Sequence, residues 1–279
     1  MVSAALDAPG IRLGVSELLA LREGLPRLGR ARPATRRPGA VPARPPGAGM
    51  DLREIRAFAE GDDARRIDPA ATARTGAPHI RLFHEDRDDT LLLLADFRPA
   101  MLWGTGAALR SVRAARLLAH RGWEASARGA SVAAISVGAG GVASVPPGGG
   151  AAQMVRISHM LADGHDRALA AGGEAPSLVE ALIRAQRLAP PGGAVVIATG
   201  PEGLAGEDEP ALARLARRRR LTVLLPLDPV ETAPPAAPLP VRDGARARLA
   251  RLRPFDRAAL AQRLRAMNVA LEVVADDAG

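Results

Sequence analysis

From residue 90 onward the hydrophobic pattern repeats one theme. Short, nearly unbroken apolar runs alternate with stretches in which apolar positions return every three or four residues. The runs are 91–96 (LLLLAD), 131–138 (SVAAISVG), 194–199 (AVVIAT), 221–227 (LTVLLPL) and 269–274 (VALEVV). Runs of this length, rich in branched residues, predict strands, and the periodic stretches 107–121, 150–162, 176–189, 208–220 and 255–266 predict helices. In 107–121, Leu109, Val112, Ala115 and Leu118 share one face, and Arg110, Arg113 and Arg121 fall off it. Strands that are apolar throughout are covered on both faces, so the pattern predicts an open, doubly wound, mainly parallel α/β sheet. Ligands of such sheets sit beyond the carboxyl ends of the strands, near the point where strand order reverses. With 91–96 as the central strand, that point is the loop after Asp96.

The first third of the chain reads differently. Residues 15–24 (VSELLALREG) predict a short amphipathic helix, with Ser16 placed to cap it and Gly24 to end it. Residues 26–49 are arginine, proline and glycine with little apolar content, which predicts an arm without regular structure. Between 51 and 76 charges of both signs alternate, and Gly61 followed by Asp62 and Asp63 reads as a turn leading into a helical cap. HIRLFH (79–84) alternates as a strand does, and EDRDD (85–89) bends into the run that follows. The expected organisation is a short helix and basic arm over 1–50, a charged segment over 51–89, and the α/β domain over 90–279.

Composition narrows the chemistry. The absence of cysteine removes disulfides, thiolate metal sites and cysteine nucleophiles. All 38 basic residues are arginine, so a Walker-type phosphate loop, a Schiff-base lysine and the kinase lysine are excluded. The first 30 residues lack the apolar core of a signal peptide, and no run approaches 18 apolar residues, so a soluble cytoplasmic protein is expected. Positive charge is uneven: residues 1–50 carry eight arginines against three acids, and residues 210–265 carry thirteen against four. Such surfaces suit nucleic acid, an anionic membrane or an acidic partner protein. Tyrosine is absent and only four phenylalanines and two tryptophans occur, which argues against single-strand binding by base stacking.

Four stretches carry a resemblance: GDDARRID (61–68), ARTG (73–76), HIRLFHEDRD (79–88) and LLLLADFRPAM (91–101). Together they resemble the domain-of-unknown-function 58 family, in its short form without membrane helices. The likeness continues weakly through 194–200 and LDPVET (227–232). The family's signature positions are Gly61, Asp62, Asp63, Arg66, Asp68 and Arg74 in this chain; Pro69 stands where family members often carry tryptophan. The resemblance implies a charged signature segment joined to a von Willebrand factor A-like domain. It also implies a non-enzymatic adaptor or co-chaperone role beside a MoxR-type AAA ATPase, with an unknown client protein. It implies no cofactor.

A-type domains hold a hydrated divalent cation on Asp-x-Ser-x-Ser after the first strand, because three hard oxygens suit magnesium. Here the motif reads Asp96-Phe97-Arg98-Pro99-Ala100, and the second-acid position reads Thr199-Gly200. Both serines and the second acid are lost, and a fixed positive charge stands in their place. The expectation is a degenerate site that holds no metal, in which Asp96 caps the turn and pairs with Arg98 or backbone amides. Asp96, Arg98, Ala100, Trp103 and Thr199 then mark either a docking face on which Arg98 and Trp103 meet a partner, or a closed arrangement in which Arg98 is spent on Asp96 and Trp103 is core. Asp62, Asp63, Arg65, Arg66, Asp68 and Arg74 read as a salt-bridged brace rather than an acid–base pair. His79 and His84 fall on opposite faces of a strand, and His159 and His165 read as a solvated helix end. The run Arg217–Arg220 closes a helix, where cations oppose its dipole; with Arg246, Arg248, Arg251 and Arg253 it offers the alternative of a basic nucleic-acid-binding surface.

Overall fold

In the computed structural model, which describes residues 10–25, 46–60, 62–84, 89–171, 176–204, 206–243 and 246–274, the five apolar runs form parallel strands at the expected places. In chain order the elements begin with α1 (Val15–Ala20), β1 (Pro46–Ala57), α2 (Pro69–Thr75), β2 (His79–His84) and β3 (Thr90–Phe97). They continue with α3 (Arg110–Ala127), β4 (Ser131–Gly138), β5 (Gly141–Gly148), α4 (Gly150–Ala171), α5 (Leu178–Leu188) and β6 (Ala194–Ala198). The last are α6 (Glu209–Ala216), β7 (Arg220–Pro226), α7 (Pro229–Thr232), β8 (Leu239–Asp243), β9 (Arg246–Ala250), α8 (Arg257–Ala266) and β10 (Val269–Val274).

The main sheet has six strands in the order β10-β7-β6-β3-β4-β5. All neighbours are parallel except β5, which pairs antiparallel with β4. β3 is an interior strand and every one of its eight residues is buried. Its alternation divides the core. Leu91, Leu93, Ala95 and Phe97 pack with α1, α3 and α4, whereas Leu92 and Leu94 pack with α5, α6 and α8. The sheet is thus a mixed, mostly parallel one with helices on both faces, as the sequence predicted.

Contacts divide the chain into two units, Met1–Leu28 with Asp89–Gly279, and Gly29–Asp88. The N-terminal helix therefore belongs with the α/β unit and not with the arm. Leu18 is fully buried, and its carbonyl accepts the Trp123 indole N–H at 2.9 Å. Gly14 is the N-cap of α1 and Ser16 lies inside the helix, so the expected serine cap is absent. The second unit is built on the antiparallel pair β1–β2, with α2 between the two strands in sequence. β1 takes in residues 46–49, which the composition had placed in the unstructured arm; 26–45 lie outside the described residues.

Two helices run past their predicted ends. α3 begins at Arg110 and reaches Ala127, and α4 continues through Asp163-Gly164-His165 to Ala171. Gly164 is tolerated there because it faces the sheet, where an added Cβ would lie 2.9 Å from Ser136 Oγ. The expected arginine-rich helix end is also displaced. α6 stops at Ala216, Arg220 opens β7, and Arg219 donates to the carbonyls of Gln186 and Ala189, so it caps α5 instead.

Candidate functional site at the carboxyl ends of the parallel strands

The register of the sheet builds the site. Ala95 of β3 lies beside Ala198 of β6, so Asp96 and Thr199 come level where the two strands end. Asp96 is 1% exposed, and its carboxylate receives four donors from the chain itself. Oδ1 accepts the Arg98 amide at 2.9 Å and Arg98 Nε at 3.0 Å; Oδ2 accepts Arg98 Nη2 at 2.8 Å and Thr199 Oγ1 at 2.7 Å. Arg98 Nη2 also donates to the Gly203 carbonyl at 2.7 Å, which pins the loop after β6 to the loop after β3. Burial alone would lower the Arg98 pKa, but the hydrogen bonds and charge of Asp96, with Asp208 and Glu207 nearby, outweigh it and raise it.

These residues do not fit a divalent cation. A guanidinium lies in a two-point fork on the oxygens a metal would need, and Ala100 brings no ligand atom. Among the described residues, no group of three or more histidine and acidic side chains is placed to hold a metal. The expected turn cap is present, because Asp96 accepts its own residue-plus-two amide. Arg98 is therefore committed to Asp96 through Nε and Nη2, and its role is internal.

Beside this pair lies a second cation that the sequence reading placed off the core. Arg110, the first residue of α3, has a fully buried side chain. Nη1 donates to the Ala100 carbonyl at 3.1 Å and to Glu202 Oε2 at 3.1 Å, and Nη2 lies 2.5 Å from Glu231 Oε2. The guanidinium sits over the Trp103 ring, 4.4 Å from its centroid. Trp103 is thereby half-buried against a cation, neither fully in the core nor free. Arg113, one turn on, is also buried and donates to the Leu227 and Val274 carbonyls at the ends of β7 and β10. Both arginines lie on the protein side of α3, which corrects their expected exclusion from the apolar face.

Asp228 closes the arrangement. It caps α7 through Val230, while Glu231 accepts the Asp228 amide at 2.7 Å, a reciprocal capping box. It also accepts the Thr105 amide at 2.7 Å and the Thr105 hydroxyl. Burial pushes its pKa up, but the Thr105 and Val230 hydrogen bonds and the Arg110 charge prevail and hold it below the usual carboxylate range. Thr105 and Glu202 were not singled out in the sequence, Arg110 was named only as lying off its helix's apolar face, and Asp228 and Glu231 only within the LDPVET likeness. The legible signal was Asp-Pro-x-Glu at 228–231, which has the spacing of a capping box.

The signature residues lie in the other unit. Asp62 binds Arg56 in a fork, both oxygens at 2.8 Å, and accepts the Ala59 amide at 2.7 Å. Asp68 binds Arg81 Nε at 2.7 Å and caps α2 through the Ala71 amide at 2.8 Å. Arg56 chiefly, then the Ala59 amide, lowers the Asp62 pKa; Arg81 chiefly, then the Ala71 amide, lowers that of Asp68. Asp63 caps the single 3-10 turn that contains Arg65 and Arg66, and Arg74 is exposed in the last turn of α2. Gly61 lies outside the described residues. Asp62 and Asp68 are thus ion-paired, but with arginines of β1 and β2 rather than with those from within 61–74 that the sequence reading named. His79 Nδ1 lies within hydrogen-bonding distance of Thr75 Oγ1 and the Ala77 carbonyl. His165 is fully buried inside α4, against the expectation of a solvated end; its Nε2 lies 2.9 Å from Ser111 Oγ, and burial lowers its pKa to about 4.

Comparison with known proteins places the chain. The family described as "Protein of unknown function DUF58" matches residues 54–269. Uncharacterized proteins Rv1480 of Mycobacterium tuberculosis and Mb1516 of Mycobacterium bovis are each 42% identical to it over 60 residues, which is 22% of this chain and 19% of theirs. Two solved structures are similar. One is the conserved hypothetical protein BatB from Bacteroides thetaiotaomicron, with a TM-score of 0.46 and 19% identity over 67% of this chain and 90% of that one. The other is an aerotolerance-related membrane protein from Bacteroides fragilis, with a TM-score of 0.45 and 19% identity over 66% of this chain and 91% of that one. No helix among the described residues is long and apolar enough to cross a membrane. The family match runs from the end of β1, through the strand ends that carry Asp96, to the start of β10, and by it the chain belongs to the DUF58 family of proteins of unknown function.

Proposed function

We propose that this DUF58 protein is a non-enzymatic adaptor or co-chaperone that works with a MoxR-type AAA ATPase on a client protein in the cytoplasm. In this reading the sheet is an A-type domain whose cation site has become an internal ion pair. One observation carries it: the buried Asp96 carboxylate is filled by the Arg98 fork and the Thr199 hydroxyl. That arrangement commits these strand ends to holding the loops after β3 and β6 in fixed positions, not to activating a substrate. General acid–base work needs two carboxylates whose surroundings drive their pKa values apart, and the perturbed carboxylates Asp62, Asp68 and Asp228 are all lowered.

The docking face is the surface those loops present. Asp96, Arg98 and Thr199 support it from below, and Ala100 contributes its carbonyl to Arg110. Trp103 is half-buried on Arg110, and Glu202 leaves 57% of its side chain exposed. A tryptophan rigidified by a cation beside a partly free carboxylate makes an anchor with a charged rim. The test is capture of a MoxR-type AAA ATPase from the same organism, using wild type, Trp103→Ala and Glu202→Arg. The expected result is capture by wild type and loss of at least tenfold in affinity for each variant. Variants that stay folded and bind as wild type does would move the docking site elsewhere; no capture by wild type would remove the ATPase partnership.

A further inference from the structure

The two edges of the main sheet are not alike. β5 carries Pro146 and Pro147, which lack amide donors and blunt that edge against further pairing. β10 at the opposite edge has no proline, and among the described residues it pairs only with β7. The Val274 carbonyl accepts the Leu227 amide, so the polar groups of alternate residues, Leu271 and Val273, point away from the sheet. Among the described residues they form an unfilled ladder. Along it runs a groove of about 500 Å³ between β10 and α8, lined by Arg257, Ala258, Ala261 and Arg265 among others.

The described lining of this groove carries arginines and no acid. Arg257 and Arg265 are exposed, and neither has an ion-pair partner among the described residues. Arg220 borders the continuation of the groove past the start of β10. The one acid on the strand, Glu272, is already paired with Arg121 at 2.6 Å. The alanines of α8 leave room for a backbone, and the arginines stand at either end of that room. A second copy paired antiparallel on the same edge would set the Arg257 end of one α8 against the Arg265 end of the other, like charge on like. From the open ladder, the small-residue wall and the unpaired cations, we infer that β10 is a docking edge. It accepts an extended acidic segment of a partner protein as a seventh strand, with Arg257 and Arg265 holding carboxylates at its ends. This surface is separate from the strand-end face, so either can fail without the other.

The test uses the full chain and a labelled ten-residue probe that alternates valine and threonine and carries two aspartates at each end. Fluorescence anisotropy should give saturable binding that weakens at least tenfold in Arg257→Ala/Arg265→Ala, and falls with added salt. A probe N-methylated at alternate residues keeps every charge but cannot complete a ladder, and should not bind. Equal binding of the methylated probe would mean adsorption to a basic surface and would overturn the inference. Tighter binding of duplex DNA than of the probe at the same arginines would do the same, as would a dimer that Leu271→Pro converts to monomer.

Discussion

Removing the Arg98 side chain is the sharpest way to probe the strand-end site. Arg98→Ala leaves the backbone amide and Thr199 Oγ1 on Asp96 but deletes both charged donors. Asp96 then keeps a carboxylate that is 1% exposed with two neutral partners. Breaking a buried ion pair from one side costs about 3–5 kcal/mol. Arg98 is 18% exposed at its side chain, so water partly replaces it, and the lower end, about 3 kcal/mol, is the expected loss. For a unit of this size that lowers Tm by about 6–12 °C. The double variant Asp96→Asn/Arg98→Ala removes the stranded charge and should recover at least about 1 kcal/mol of the single variant's loss. Urea unfolding followed by far-UV circular dichroism at pH 7 reads both. A loss below about 0.5 kcal/mol, or a double variant no better than the single, would refute the claim that this pair holds the site.

His165 has a folded pKa of about 4 against an ordinary 6.5, so the unfolded chain binds the proton first. Its contribution, about 3 kcal/mol, is present above pH 6.5 and lost as pH falls towards 4; urea midpoints of wild type should drop across that window more than those of His165→Gln, and parallel curves would refute the assignment. At Gly203 an added Cβ would lie 1.8 Å from Thr199 Oγ1 and 3.0 Å from Asp96 Oδ2, so Gly203→Ala should cost about 1–3 kcal/mol in thermal unfolding. Gly206→Ala, which meets nothing within 4 Å, should stay within about 0.5 kcal/mol of wild type. Calorimetric titration with millimolar magnesium or manganese should give no one-site binding at Asp96; tight binding abolished by Asp96→Ala would overturn the guanidinium-for-metal substitution.

What the sequence made legible follows from how strongly each element was patterned. β3, β4, β6 and β7 were plain because strands covered on both faces leave few polar positions to blur the run, and β10, an edge strand carrying Glu272, was plain from its branched apolar residues. β5 was missed because Pro146 and Pro147 break every local strand signal; it exists through pairing with β4, a contact no window along the chain contains. Arg110 and Arg113 were misplaced for a related reason. A buried cation meets its partners far away in sequence, here Glu202 and Glu231 for Arg110 and two strand-end carbonyls for Arg113, so the helix pattern alone assigns it to water. His165 was misread because Asp163-Gly164 looks like a helix end, whereas Gly164 is there to let α4 approach Ser136 closely. Asp96 with Arg98 was readable in advance because both partners lie within one turn.

The Arg110 guanidinium touches the loop after β3 through Ala100 and Trp103, the loop after β6 through Glu202, and the segment after β7 through Glu231. Three loops thus share one counter-ion, and none of them is an independent module. A graft that imports a foreign loop after β6 without an acid at position 202 shifts charge onto Glu231, and with it the amide of Asp228 that Glu231 accepts. Length changes in one loop then select for compensating changes in the other two. Divergence at this end of the sheet should accordingly appear in correlated blocks, with position 110 as the residue least free to vary.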